Sequence, residues 1–254
     1  MASKQAAFKD YFSVDPVAYQ QYRPGYPDAL FLYLAKIAPD KQCAWDCATG
    51  SGQSAVSLSA YFKQVIATDA SASQISSAAQ VPGVVYRVAS AERSRIKNAS
   101  VDLITVAQAL HWFDLQAFTA EVERVLKPGG VLAVWTYNLL QVNAELDSIV
   151  RYLYHDVLGA YWPPERKMVE QGYAGVSFPF ECIDAPQFNM SADWALPQLF
   201  GYLQTWSALK RCQKNRSHNP LEDIAQRLVE AWGEPVDSLR INWPLSLCVW
   251  KKTA

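Results

Sequence analysis

The stretch Ala44-Trp45-Asp46-Cys47-Ala48-Thr49-Gly50-Ser51-Gly52-Gln53 joins a short apolar run to a turn of small residues, and a helix-like segment begins near its end. The apolar run ends in an acid and has the composition of a buried strand. Small residues in the turn allow a ligand to touch the backbone. The stretch therefore predicts a strand, a ligand-binding loop and a helix, in that order.

On both sides of this unit, short apolar runs alternate with helix-like segments as far as Tyr137. The strand candidates, each apolar as a strand covered on both faces should be, are residues 42–47, 64–69, 84–88, 101–107 and 131–135. Strands that alternate with helices form a parallel sheet wrapped by helices. The sequence therefore predicts an α/β fold with a doubly wound sheet.

The second half of the chain has a different pattern. Apolar residues follow a helical period over 146–157, and an aromatic, proline-rich stretch follows at 161–180. We interpret residues 138–175, approximately, as an inserted helical cap. Residues 180–190 and 239–250 are expected to form late strands that close the far edge of the sheet.

Length and composition indicate one globular domain. The chain has 254 residues, of which 50% are apolar and 19% charged, so it has ample material for a buried core. We expect a single domain over residues 1–254. Its core would comprise residues 28–137 and 176–254, with an N-terminal segment at 1–27.

The charge balance and the cysteines exclude several classes of function. Lys and Arg total 23 against 24 Asp and Glu, so no positive field attracts nucleic acid. No apolar run reaches the roughly 18 residues of a membrane span, and the first ten residues lack the apolar part of a secretory signal. We therefore expect a cytoplasmic protein with no membrane partner. The 5 cysteines and 3 histidines are scattered, which predicts reduced thiols and no metal site.

Two ligand classes fit the small-residue turn. The string Gly50-Ser51-Gly52-Gln53-Ser54-Ala55 matches the dinucleotide pattern G-x-G-x-x-G/A, and Asp69 ends the next strand, where an acid would hold a ribose diol. Asp46 argues against a dinucleotide, because its carboxylate would repel a nearby pyrophosphate. The cationic S-adenosylmethionine avoids this repulsion and still needs Asp69 for its ribose. The alternative for both acids is a solvated position at a strand end.

At this point the chain resembles a known family, the class I S-adenosylmethionine-dependent methyltransferases. Residues 46–52 resemble the family's D-x-G-x-G-x-G loop, and Asp69 resembles the acid that ends its second strand. Other matching segments are Ser90-Ala91-Glu92 at the adenine edge, Ser100-Val101-Asp102-Leu103 in strand four, and Leu126-Lys127-Pro128-Gly129-Gly130 before strand five. These motifs cover about residues 40–136 in the family's order, so the resemblance is more specific than any single motif.

Within this family the chain is most similar to the small-molecule branch, with its type 11 and trans-aconitate methyltransferase-like proteins. The segments shared with that branch are Tyr22-Arg23-Pro24-Gly25-Tyr26-Pro27 and Gln108-Ala109-Leu110-His111-Trp112-Phe113. The resemblance implies a Rossmann-like class I sheet with a helical cap insertion. It also implies in-line methyl transfer from S-adenosylmethionine to a small-molecule acceptor.

The resemblance assigns a set of residues to the cofactor. These are Arg23, Asp46, Ala48, Gly50, Gly52, Asp69, Ala70, Ser90, Ala91, Glu92 and Gln108. Arg23 would pair with the methionine carboxylate, and a solvated arginine is the alternative. Two residues depart from the family pattern. Ala48 replaces a glycine, which we expect to be tolerated where φ is negative, and Ser90 replaces an aspartate but can still accept a hydrogen bond.

Candidate residues for the acceptor lie after strand four and in the cap. His111 and Trp112 follow strand four, at the carboxyl edge where open α/β sheets bind ligands. His111, the candidate catalytic residue, would orient the acceptor or take its proton if the acceptor is a hydroxyl; the alternative is that both residues only pack. The acceptor-binding set is Tyr22, His111, Trp112, Tyr137, Trp162 and Arg166.

The acceptor atom is only partly constrained by sequence. No Asn-Pro-Pro-Tyr-type sequence follows strand four, which argues against methylation of a base or amide nitrogen. The branch resemblance suggests a carboxylic acid, and a hydroxyl oxygen is the other acceptor considered. Two further functions stay open: an NAD(P)-dependent Rossmann oxidoreductase, and a non-catalytic cofactor-binding partner protein.

Overall fold

The computed structural model describes residues 24–215 and 218–253, and the structural statements below refer to these residues. Its strands are β1 Cys43–Cys47, β2 Gln64–Asp69, β3 Val84–Val88, β4 Val101–Ala107, β5 Leu126–Tyr137, β6 Glu181–Ile183, β7 Phe188–Trp194 and β8 Leu239–Lys251. They form one sheet in the order β3-β2-β1-β4-β5-β8-β6, with β7 also paired to β8. Strands β1 to β5 are parallel, and β8 is antiparallel to β5.

Helices cover both faces of the sheet. They are α1 Asp28–Ile37, α2 Gln53–Leu58, α3 Ala72–Ser77, α4 Leu115–Val125, α5 Ala144–Tyr152, α6 Arg166–Glu170, α7 Leu196–Gln204, α8 Ser207–Asn215 and α9 Glu222–Trp232. Phe31 of α1 joins the hydrophobic core on one face, and Phe118 of α4 joins the core on the other. The expected doubly wound α/β sheet is confirmed. None of the described helices is both long and apolar enough to cross a membrane.

The segment Lys127-Pro128-Gly129-Gly130 lies inside β5 instead of forming a turn before it. The register between β4 and β5 shifts at this point, as in a β-bulge. A Cβ on Gly130 would lie only 2.8 Å from the carbonyl oxygen of Lys127, so glycine is the residue that fits. The strand therefore begins at Leu126 and not at Val131, because the bulge keeps the segment within the sheet.

The far edge of the sheet consists of two strands in line, where one strand was expected over 180–190. β6 pairs with residues 249–251 of β8, and β7 pairs with residues 239–245. Pro186 lies between β6 and β7, and proline has no amide hydrogen for a strand ladder. Because β8 pairs with β5 only from Leu245 onward, β7 and β8 extend the sheet beyond the carboxyl end of β5.

The helices that follow β5 pack against the helices that follow β7. α5 contacts α9, and α8 contacts a short 3-10 turn at Gly159–Tyr161. Leu146, Leu203 and Leu228, from α5, α7 and α9, belong to one hydrophobic core. Two segments of the chain thus build one helical layer on the sheet. The division into a core and a cap at 138–175 stays a prediction.

Candidate active site

The loop after β1 is held at the carboxyl end of β2 by Asp69. The backbone amide of Gly50 donates a hydrogen bond to Oδ2 of Asp69 at 2.9 Å, and the amide of Ser71 donates to Oδ1 at 2.8 Å. Ala70, in the turn between Asp69 and Ser71, is exposed. The glycine loop and the acid, predicted as separate motifs, therefore form one unit at the ligand-binding edge of the sheet.

Asp46 is buried at the end of β1, with 1% of its surface exposed. Its Oδ1 accepts a hydrogen bond from the Thr105 hydroxyl at 2.8 Å, and its Oδ2 accepts one from the Thr49 hydroxyl. Burial raises the pKa of Asp46 to about 6, although these hydrogen bonds oppose the shift. The carboxylate ties the loop to β1 and β4, and its negative charge is costly without a nearby cation.

Ala48 has a left-handed backbone, with φ of 54°. The expectation of a negative φ at this position is wrong. Gly50 and Gly52, at φ of 56° and 90°, share the left-handed region. The loop therefore has the backbone of a glycine-rich turn even where an alanine stands, at a cost that glycine would not carry.

Gly52 is part of the loop, and it also contacts a side chain from another strand. A Cβ on Gly52 would collide with the hydroxyl of Tyr86 and lie 3.0 Å from its ring carbon Cζ. The Tyr86 hydroxyl itself donates to the carbonyl oxygen of Ala79 at 3.0 Å. The bare backbone at Gly52 is thus needed for packing against Tyr86, a residue that the loop motif does not include.

The segment after β3 has one exposed hydroxyl and two residues engaged within the protein. Ser90 is exposed, whereas Ala91 is buried in the core that α4 covers. Glu92 accepts a hydrogen bond from the backbone amide of Asp114, the N-cap of α4, at 3.2 Å. Of these residues, Ser90 is the one available for a ligand contact.

The N-terminal segment approaches the loop where the described residues begin. Pro24 is buried, and its carbonyl oxygen accepts a hydrogen bond from Nε2 of Gln53, the first residue of α2, at 3.2 Å. Tyr22 and Arg23, assigned to the acceptor and to the methionine carboxylate, lie outside the described residues.

Gln108 links the carboxyl ends of β4 and β5. Its Nε2 donates to the carbonyl oxygen of Tyr137 at 3.0 Å, and its Oε1 accepts a hydrogen bond from the Thr136 hydroxyl. The residue has a left-handed φ of 57°. Both ends of the side-chain amide are used within the protein, so Gln108 braces the site. Tyr137, 5% exposed, supplies this carbonyl oxygen.

His111 lies on a 3-10 turn, Leu110–Trp112, that follows β4. Its Nδ1 is 3.0 Å from the hydroxyl oxygen of Tyr173, and its ring stacks on the Tyr173 ring at 6.2 Å between centroids. The Trp112 ring, half-buried, is tilted against the imidazole with 4.6 Å between the ring centroids. His111 therefore contacts two aromatic rings, and Tyr173 was not among the predicted site residues.

Burial, together with the charge of Arg166, lowers the pKa of His111 to about 3. The imidazole is therefore neutral throughout the physiological pH range. A base with so low a pKa has little tendency to remove a proton from a hydroxyl acceptor. This environment favours the orienting role of His111 over the alternative role of taking a proton from a hydroxyl acceptor.

Arg166, at the start of α6, is fixed by three neighbours. Its Nε donates to the Tyr154 hydroxyl at 2.8 Å, its Nη2 donates to Oδ1 of Asn138 at 3.1 Å, and its guanidinium lies 4.9 Å from the ring of Trp162. The Tyr154 hydroxyl in turn donates to Glu170 at 2.8 Å. Trp162 donates through its Nε1 to the carbonyl oxygen of Tyr154 at 3.0 Å.

Over residues 24–215 and 218–253, no carboxylate lies within 4.0 Å of the Arg166 guanidinium. The nearest acid in the chain of hydrogen bonds, Glu170, is reached only through the Tyr154 hydroxyl. Because α6 packs on the turn that carries His111, this half-buried cation belongs to the same site. Asn138, which was not among the predicted site residues, directly follows β5, whereas the predicted strand five ended at residue 135.

The predicted residues thus divide into two groups. Asp46, Gly50, Gly52 and Asp69 lie together at the ends of β1 and β2, while His111 and Arg166 meet over the ends of β4 and β5. Within the part of the chain that is described, no group of three or more His, Cys, Asp or Glu side chains could hold a metal ion. The arrangement defines a Rossmann-like α/β protein with two groups of candidate site residues along one sheet edge.

Comparisons with known proteins specify the family. A family model described as a methyltransferase domain matches residues 45–134. The chain is 32% identical over 253 residues to a protein named as a methyltransferase in Dictyostelium discoideum, with 96% of each chain covered. It therefore belongs to the class I S-adenosylmethionine-dependent methyltransferases. This membership argues against the two alternative functions, an NAD(P)-dependent oxidoreductase and a non-catalytic cofactor-binding protein.

Solved structures agree with this conclusion. A structure described as a type II methyltransferase from Anaeromyxobacter dehalogenans is 42% identical, with a TM-score of 0.87, and covers 91% of this chain and 99% of its own. A phosphoethanolamine N-methyltransferase of Haemonchus contortus, solved with S-adenosylhomocysteine, is 17% identical with a TM-score of 0.52. It covers 98% of this chain and 61% of its own, and the likeness is one of fold.

Proposed function

We propose that the protein transfers a methyl group from S-adenosylmethionine to an oxygen of a small molecule, and that this acceptor is a carboxylic acid. The observation that carries the acceptor is the Arg166 guanidinium beside a neutral His111: it is half-buried and has no carboxylate partner among the described residues. Desolvated arginine binds carboxylates strongly, often through two parallel hydrogen bonds.

On the donor side, Asp69 would bind the ribose of S-adenosylmethionine. Two backbone amides position this carboxylate at the carboxyl end of β2, where open α/β sheets bind ligands, and its oxygens would accept hydrogen bonds from the ribose hydroxyls. Asp46 would face the cationic part of the donor, whose positive charge favours the ionised carboxylate. Ser90 would contact the adenine amino group.

On the acceptor side, Arg166 would bind the carboxylate of the acceptor, and His111 would orient that carboxylate. An acid of this kind is ionised at neutral pH, so its oxygen can attack the methyl carbon without prior loss of a proton. S-adenosylmethionine, when bound, would supply this methyl group, and the electrons of the broken S–C bond would stay on sulfur in the neutral thioether S-adenosylhomocysteine. The protein's contribution is to hold oxygen and methyl carbon in line at about 3–3.5 Å.

A screen of methyl acceptors tests this proposal. Small carboxylic acids, their amides and matched phenols would be incubated with the enzyme and S-adenosylmethionine, and S-adenosylhomocysteine would be quantified. We expect turnover with acids only, and Arg166→Gln should raise KM for an active acid by about tenfold or more through the lost charged hydrogen bond. Arg151→Gln, an exposed position on α5, is the matched control. Turnover of phenols but not acids would refute the carboxylate acceptor.

A further inference from the structure

Tyr173 is a buried side chain that contacts His111 from a loop distant in sequence. It is 1% exposed, and its hydroxyl oxygen lies 3.0 Å from Nδ1 of His111. The residue follows α6, the helix that begins with Arg166. Tyr173 therefore joins the two halves of the acceptor region.

The backbone around Tyr173 is strained. Gly172 and Tyr173 are both left-handed, with φ of 59° and 61°. For a bulky residue such as tyrosine this conformation is a strained outlier. A Cβ on Gly172 would lie 2.6 Å from the Ser246 hydroxyl, so β8 also constrains the segment. Strain of this kind persists where the surrounding structure holds a side chain in one required position.

The chemistry of the two groups favours the Tyr173 hydroxyl as the donor. Burial raises the pKa of Tyr173, so the phenol keeps its proton. Among the described residues, the hydrogen-bond partner of this hydroxyl is Nδ1 of His111. A phenol O–H is a strong donor and an unprotonated imidazole nitrogen is a stronger acceptor than a phenol oxygen, so the proton points from the Tyr173 oxygen to Nδ1 of His111.

We propose that Tyr173 is a positioning residue that keeps His111 in the tautomer with its proton on Nε2. A neutral imidazole has one donor nitrogen and one acceptor nitrogen, so a donor at Nδ1 makes Nε2 the donor. Nε2 then offers a hydrogen bond to the acceptor oxygen that does not attack the methyl group. This use of the donor rests on the proposed function, whereas the tautomer itself does not.

Nitrogen NMR on the uniformly 15N-labelled enzyme tests the tautomer. Long-range 1H–15N spectra would be recorded between pH 5 and 8 for the wild type, for Tyr173→Phe, and for His111→Gln to assign the signals. We expect a protonated Nε2 and an unprotonated Nδ1 in the wild type. In Tyr173→Phe the second tautomer should become populated. Tyr152→Phe, an exposed tyrosine on α5, is the control and should leave the His111 signals unchanged.

A protonated Nδ1 in the wild type would overturn the proposal, as would an unchanged His111 spectrum in folded Tyr173→Phe. Should that variant not fold, the wild-type spectrum alone decides. A second readout is kinetic: with an acid found active in the screen, Tyr173→Phe should lower kcat/KM by about tenfold, the effect of one hydrogen bond. If the tautomer is as expected and no acid is methylated, the proposed acceptor fails while the role of Tyr173 stands.

Discussion

The carboxylate of Asp69 accepts a hydrogen bond from the backbone amide of Gly50 at 2.9 Å, and this bond joins the carboxyl ends of β1 and β2. The same acid is the proposed ribose ligand. Its loss should therefore affect both the shape of the glycine loop and the affinity for the donor.

Asp69→Ala should weaken the binding of S-adenosylhomocysteine by at least about tenfold, because charge-assisted hydrogen bonds contribute roughly 1.5–3 kcal/mol each. It should also lower the free energy of unfolding by about 1–3 kcal/mol, since two backbone amides lose their acceptor. Calorimetric titration and urea unfolding measure the two effects. Asp184→Ala, at an exposed position, is the control. Unchanged affinity in a folded Asp69→Ala protein would remove the ribose assignment.

Asp46 should make the protein less stable as the pH rises. Its pKa is raised by burial from 3.8 to about 6 in the folded protein. The native state therefore holds a proton that the unfolded state releases, and the associated stability, about 3 kcal/mol for two pKa units, is lost as the pH rises from about 4 to 6. Asp46→Asn should not show this loss.

Urea unfolding of the wild type and Asp46→Asn at pH 4, 5, 6 and 7 measures this difference. All other carboxylates are present in both proteins, so the difference between the two curves reports on Asp46 and on its interaction with Asp69. The variant should become the more stable protein at pH 7 and bind the cationic donor more weakly. A difference that is independent of pH would contradict the raised pKa.

Ala48→Gly should change stability little, although glycine normally destabilises. Its φ of 54° costs alanine about 1 kcal/mol, which glycine avoids. The greater entropy of glycine in the unfolded state lowers the free energy of unfolding by roughly 0.4–1 kcal/mol, which offsets the relief of strain. Ala120→Gly, on the exposed side of α4, should lose about 1 kcal/mol and serves as the comparison. Equal losses in both variants, by thermal unfolding, would mean that Ala48 is not strained.

The pH profile of the methyl-transfer rate should show no step between pH 6 and 7 from ionisation of the His111 imidazole. The pKa of His111 is lowered to about 3, so its charge does not change in that range. His111→Gln should raise KM for an acid acceptor more than it lowers kcat, because orientation is lost and no base is removed. Rate profiles from pH 5 to 9 measure this. An ionisation near pH 6.5 that disappears in His111→Gln would restore the role of a base.

Much of the donor region follows from local sequence. An apolar strand, a small-residue turn and a terminal acid occur together in residues 44–53, and Asp69 ends the next apolar run. Parallel strands place their carboxyl ends at one sheet edge, so these residues meet once the sheet forms. The bulge before Val131 and the break between β6 and β7 at Pro186 were not predicted. Proline and glycine are typical of turns, and only pairing with the neighbouring strands keeps these segments in the sheet.

The acceptor region was decided by tertiary structure. By itself the sequence determined the parallel sheet, the glycine loop and the acids that end β1 and β2, because strand periodicity and small-residue turns act over a few residues. Only the fold brought Tyr173 to His111 and placed Arg166 where no carboxylate of residues 24–215 or 218–253 pairs with it. These contacts join residues far apart in the chain, and they depend on a left-handed backbone at Tyr173 that helical and strand periodicities do not encode.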